Sequence, residues 1–371
     1  MEKKEKIKNI EFIGIFAVLA VMLFNISWSS GGLYGIYKTS IPIYVTLKSN
    51  LTYSHHWLDF LFIISGFFLF LTTNFSSSFK EFFTKKVIRL LPVILFALAA
   101  IKILSLFGLA PHKKLYDFYN LLFLNGVGFT KTNDWGNLGH TWFVSCLFWS
   151  SIFLFYLTKS VSKNILNILM GLFIVFSYTI MLSNTTNPLI LYNKFLSIGL
   201  IRAVGAMAIG YFICEWYKDY KENQTSNKTT TLGLVLYSAI ELSLFGFIVG
   251  NTILHKLNFS SWTILIIAFV AFFVLLLMKK GVLSKILDNN LSSLFGKYAY
   301  SLFIVHPIII AVSRKTWWHN KELVTTYPLL TIALTGIASI ILAIIVHHNV
   351  ELPATKFLNN LWLNKNNKTM Q

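Results

Sequence analysis

An all-α, polytopic integral membrane protein is the fold class that three observations predict for this 371-residue chain. Hydrophobic residues make up 55% of it and charged residues only 12%, whereas globular domains carry roughly 25% charged residues. The apolar residues fall in runs near the roughly 20 residues that a helix needs to cross a bilayer. The 32 Lys and Arg collect in alternate polar segments, the asymmetry expected of a chain threaded through a membrane. Together these exclude a two- or three-domain soluble protein, a disordered chain and a disulfide scaffold. The basic excess, which in a soluble chain would point to nucleic acid, is here a matter of topology, and no nucleic-acid partner is expected.

Ten transmembrane helices are read as one domain over residues 1–371, at about 10–29, 57–74, 88–109, 142–158, 164–183, 195–216, 231–250, 261–278, 298–313 and 327–348. An even number puts both termini on one side. With that side cytoplasmic, the inner segments hold 20 Lys and Arg and the outer loops 10, so the positive-inside rule supports this orientation. The first span follows a lysine-rich start but has a long apolar core and no A-x-A-like cleavage site, which reads as an uncleaved anchor. Outer segments 30–56 and 110–141 are rich in Tyr, Trp, Asn and Gly and suit a lid or a polar-ligand surface. Cys146 and Cys214 lie in apolar runs without metal-type spacing and read as small buried side chains. No metal site is expected.

Charges inside a bilayer are expensive, and each one is a pointer to function. Asp59 opens the second span, where an acid suits a helix N-terminus. His55, four residues earlier, would share its helix face and could form a His–carboxylate dyad. Lys85, Lys86 and Arg89 precede the third span. Snorkelling explains cations there, and Lys86 with Arg89 could also clamp phosphate. Arg202 is too deep to snorkel and needs a partner or an aqueous cavity; Glu241 in the seventh span is its natural electrostatic counterpart. His306 lies mid-span beside Pro307, whose missing N–H frees a carbonyl, and it is either a satisfied core histidine or a working imidazole. His140 stands just before Trp142 at the outer end of the fourth span and could cap that helix. His347 and His348 precede Glu351-Leu352-Pro353 at the end of the last span.

Seven blocks, in order, resemble the membrane-bound acyltransferase family 3, whose members acetylate bacterial surface glycans. They are Asn9-Ile10-Glu11-Phe12-Ile13 at the first span; Leu58-Asp59-Phe60-Leu61-Phe62-Ile63-Ile64-Ser65-Gly66-Phe67-Phe68; Phe82-Phe83-Thr84-Lys85-Lys86-Val87-Ile88-Arg89-Leu90-Leu91-Pro92; Trp142-Phe143-Val144-Ser145; Arg202 with Gly210; Gly296-Lys297-Tyr298-Ala299-Tyr300-Ser301-Leu302-Phe303-Ile304-Val305-His306-Pro307; and Glu351-Leu352-Pro353. The second block is the most specific. One departure stands out. The family's first span carries Arg-x10-His, with the His linked to acyl transfer, and here those places hold Gly14 and Asn25. Asn25 hydrogen-bonds but is no general base near neutral pH.

The resemblance implies an O-acetyltransferase in the bacterial inner or plasma membrane. It would move acetyl from cytosolic acetyl-CoA to a hydroxyl of a surface or lipid-linked polysaccharide, with no bound cofactor. Lys85, Lys86 and Arg89 would meet the donor's phosphates, and Trp135 and Trp142 would stack on acceptor sugars. The base missing at Asn25 is sought first at His306 and then at His55 with Asp59. Asn25, Arg202 and Glu241 remain as an intramembrane polar site. The alternative is a non-catalytic relative acting in glycan export or assembly.

Overall fold

The computed structural model describes residues 7–30, 56–110, 114–128, 138–183, 191–192, 196–223, 230–254 and 261–368. Among these the architecture is helical throughout. In chain order the helices are α1 (Lys8–Ser30), α2 (His56–Thr72), α3 (Phe79–Leu106), α4 (Lys114–Leu121), α5 (Trp142–Ser160), α6 (Lys163–Ser183), α7 (Ile198–Glu222), α8 (Thr231–Leu254), α9 (Ser261–Met278), α10 (Val282–Leu287), α11 (Asn290–Gly296), α12 (Ala299–Lys315), α13 (Lys321–Thr326), α14 (Pro328–Val346) and α15 (Leu352–Lys368). The one departure is a two-residue antiparallel pairing, Leu191 with Ser197 and Tyr192 with Leu196. Seven helices are long and apolar enough to cross a membrane, eight if α11 and α12, bent by 47° at their junction, count as one span. The apolar helices α2 and α9 are shorter.

Local chemistry sets several of these boundaries. Ser78 caps α3 by accepting from the Glu81 N–H at 3.2 Å, so this helix starts well before the apolar run and carries Lys85, Lys86 and Arg89 on its first turns. Ser197 caps α7 in the same way, accepting from the Leu200 N–H at 2.9 Å. Pro328 opens α14, where its missing N–H costs nothing. Between α14 and α15 the chain makes a π-helical turn, His347–Glu351. Pro353 explains it: in a regular α-helix its ring would strike the Asn349 carbonyl, and a wider turn moves that carbonyl aside.

α7 is the centre of the bundle and α8 its edge, with 78% and 11% of their most apolar stretches buried. Glycines let α7 sit so deep. A Cβ on Gly66 of α2 would fall on the Met207 backbone of α7, and one on Gly210 of α7 would fall on the Ile63 and Phe67 backbone of α2. Small residues of this kind let membrane helices approach closely. On its other side α7 meets α6, whose Ser177 hydroxyl donates to the Ile201 carbonyl at 2.8 Å. Aromatic rings fill the remaining space. Phe60 stacks on Phe269 at 4.3 Å and Phe82 on Phe155 at 4.1 Å.

Gly66→Ala is therefore expected to cost about 1–3 kcal/mol by overpacking, read as a lowered unfolding temperature in detergent. Gly14→Ala is the control, since a Cβ there meets nothing within 4 Å. Equal stability of the two variants would exclude the close crossing as a determinant.

Candidate active site

α12 carries the central imidazole. His306 is fully buried, and its Nδ1 lies 3.1 Å from the Leu302 carbonyl one turn back. A carbonyl only accepts, so Nδ1 holds the proton, and in the neutral ring Nε2 is the acceptor. Nε2 faces the Asn25 amide of α1 at 2.9 Å, and the amide donates to it. A second imidazole completes the group. His140, just before α5, packs edge-on against His306 at 5.3 Å and donates from Nε2 to the Ile304 carbonyl at 3.2 Å. Phe303 and Phe143 wall this cluster. Pro307 follows within the same helix and withholds the N–H that Phe303's carbonyl would otherwise accept.

The arrangement suits proton transfer. His306 Nε2 is a neutral base already oriented by its other nitrogen. The Asn25 amide can turn its donated hydrogen bond from this nitrogen to a carbonyl oxygen that is gaining negative charge. Asn25, the departure in the first span, is thus a direct partner of His306.

Arg202 has a different partner from the one the sequence suggested. Its Nε donates to Asp59 Oδ1, and its Nη2 donates to Oδ2 at 2.8 Å. The Trp262 indole N–H adds a bond to Oδ2 at 2.8 Å, and the guanidinium stands 4.8 Å over the Trp262 ring. Arg202 and Asp59 are buried at 1% and 0% exposure. This pair ties α2, α7 and α9 together and is corrected here from the expected Arg202–Glu241 contact. Glu241 is also fully buried, but its Oε2 accepts from the Ser284 N–H at 3.1 Å, and its carboxylate packs on Gly281, where any Cβ would collide with it. With both oxygens bound to Arg202, Asp59 is an ion-pair member; the proposed dyad partner His55 lies outside the described residues, as does Trp135. Trp142 is buried at 5% exposure, edge-on to Phe62 and Phe143. Its ring is core, not an open platform for a sugar.

The three cations of α3 do not form one clamp. Lys85 is exposed and pairs with Glu81 at 2.6 Å. Lys86 turns to α5, 3.3 Å from the Ser151 hydroxyl. Arg89 is exposed and within electrostatic reach of the Tyr300 hydroxyl, which donates to the Leu90 carbonyl at 2.5 Å. Helix α3 thus meets the first turn of α12 beside Arg89. The π turn joins them there. Glu351 Oε2 accepts from the Ser301 hydroxyl at 2.6 Å and pairs with His347 Nδ1 at 2.8 Å.

The bundle and its buried imidazoles define a multi-pass helical membrane protein with a centre able to move protons. The family model described as an acyltransferase domain matches residues 7–348. The chain belongs to that family, acyltransferase family 3, and at the family level it is a membrane acyltransferase with an acyl donor and an acceptor. No curated protein and no solved structure matches the chain significantly.

Proposed function

We propose that this protein is an O-acetyltransferase of the bacterial cell membrane that moves acetyl from cytosolic acetyl-CoA to a hydroxyl of a surface or lipid-linked polysaccharide. The observation that supports this best is the Asn25–His306 contact of 2.9 Å, which puts an oriented base and an amide donor at one buried point. His306 Nε2 takes the proton of the acceptor hydroxyl as the hydroxyl oxygen bonds to the thioester carbonyl carbon. Asn25 and the surrounding dipoles hold the carbonyl oxygen while it is charged. The C–S bond then breaks, and the imidazolium returns its proton to the departing thiolate. Arg89 marks the donor's entrance, at the end of the bundle that the lysine and arginine count reads as cytoplasmic. His140 lies on the route towards the opposite side.

Arg89→Gln is expected to raise the acetyl-CoA concentration needed for half-maximal transfer by about ten- to a hundredfold, the worth of one charge-assisted hydrogen bond. Acceptor dependence should change little. An unaltered donor response in membranes containing normal amounts of the variant would place the donor elsewhere.

A non-catalytic role in glycan export or assembly is the second reading, favoured by Asn25 at the place of the family's histidine. Glycan mass analysis of a deletion strain separates the two. Loss of acetyl groups from an otherwise intact glycan supports transfer, and loss of the glycan itself supports export.

A further inference from the structure

The end of the bundle around Arg89 has a second wall that the proton-transfer centre does not use. Lys297 and Tyr298 stand immediately before α12, and His347 and His348 lie in the π turn. The Tyr298 hydroxyl and His348 Nε2 are 3.1 Å apart. The Lys297 ammonium sits 4.8 Å from the Tyr298 ring centre, and His347 packs edge-on against the same ring at 5.1 Å. His348 and Lys297 are exposed. His348 and Lys297 are thus held against Tyr298 while remaining open to solvent, and His347 backs the same ring from the buried side.

Charge makes this wall selective. The carboxylate of the π turn, Glu351, is turned inward and bonded to Ser301 and His347, while Glu11 of α1 packs against Gly296, one residue before Lys297. Among the described residues neither Lys297 nor Arg89 is in an ion pair with an acid, and the Tyr300–Leu90 bond brings their two helices together at this end of the bundle. A phosphate-rich ligand suits such a mouth. The exposed imidazole of His348, held by Tyr298, offers a flat ring on which a base can stack. Length narrows the ligand further. From Tyr298 to His306 a helix rises about 12 Å. A ligand with its phosphates at the mouth needs an extended arm of that order to bring a reacting group to His306. A nucleotide with a long flexible arm has that shape, and a free nucleotide or a phospholipid headgroup does not.

We propose that the nucleotide end of the acyl donor docks on His348, Tyr298 and Lys297, opposite Arg89, with its arm running along α12 to His306. This rests on the reading of a coenzyme A thioester as donor, and it adds the residues that distinguish the nucleotide from the arm. The test measures binding of coenzyme A and of pantetheine, which lacks the nucleotide, to the purified full-length protein in detergent. Wild type should bind coenzyme A at least about tenfold more tightly than pantetheine. His348→Ala and Lys297→Gln should each remove most of that preference while leaving pantetheine binding unchanged. Both residues are exposed, so a normal unfolding temperature is expected and is measured alongside. Variants that retain the full preference would overturn this subsite and leave the donor reading standing. A wild type that binds neither probe would overturn both. Anionic-lipid nanodiscs provide the last arm: if phosphatidylglycerol abolishes coenzyme A binding in wild type but not in Lys297→Gln, the wall is a lipid headgroup site instead.

Discussion

His306→Ala should leave the protein in the membrane at normal abundance and lower acyl transfer by about 10²–10⁴-fold, the usual contribution of a positioned general base. The imidazole bonds to a carbonyl of its own helix and to one amide of α1, so its removal leaves the inter-helix ion pair and the glycine crossings intact. Asn25→Leu separates the roles within the pair. It keeps the base but removes the amide, and a loss of about 10²–10³-fold matches one oxyanion donor. A rate unchanged from wild type would instead mean that Asn25 only fills space beside the ring. Asn25→His places a second imidazole against His306. A gain of activity there would show that the first-span histidine can still be used by this scaffold. Transfer measured per unit of membrane-embedded protein, with labelled acetyl-CoA and the native glycan, decides each case. Wild-type transfer by His306→Ala would end the assignment of His306 as base.

The second large effect is on stability. Arg202→Met should cost about 3–5 kcal/mol, because it leaves Asp59 as an unpaired buried charge. Asp59→Leu should cost about as much for the mirror-image reason. The double variant, with both charges gone, should recover most of the loss, since a buried pair is often replaceable by apolar side chains of similar volume. Trp262 sets a limit on that recovery, because its indole N–H loses its acceptor in either Asp59 variant. Unfolding in detergent, followed by tryptophan fluorescence, gives all four values of the cycle. A single replacement costing under about 1 kcal/mol would mean that water reaches this pair and screens it.

These residues also show what could be read before the fold was known. Apolar run length and caps such as Ser78 and Ser197 are local properties, so the helices follow from neighbouring residues. An arginine inside an apolar run announces that it needs a partner, but not which one. Asp59 is 143 positions away from Arg202. Spacing alone offered it His55, four residues before, and offered Arg202 the other carboxylate in an apolar run, Glu241. His306 stood out as a mid-span imidazole beside a proline. Its contact with Asn25 spans 281 positions, and that with His140 depends on how α5 enters the bundle. Trp262 gave no signal beyond an aromatic residue at a helix start. The divergence of Lys85, Lys86 and Arg89 is a matter of helix rotation against α5 and α12, which a pattern of charges does not contain.

The π turn at His347–Glu351 can also be seen as one residue too many in a helix that otherwise continues from Pro328 to Lys368. Shortening such a turn by a single position would move every later residue back one place along the winding. Everything after it would then rotate by about 100° about the axis, and Glu351 would swing away from Ser301. The heading of the whole C-terminal helix and the inward aim of one carboxylate are thus coupled to the length of a five-residue segment. In descendants of this gene, gain or loss of one codon there would redraw that face of the protein in a single step, with every other side chain unchanged.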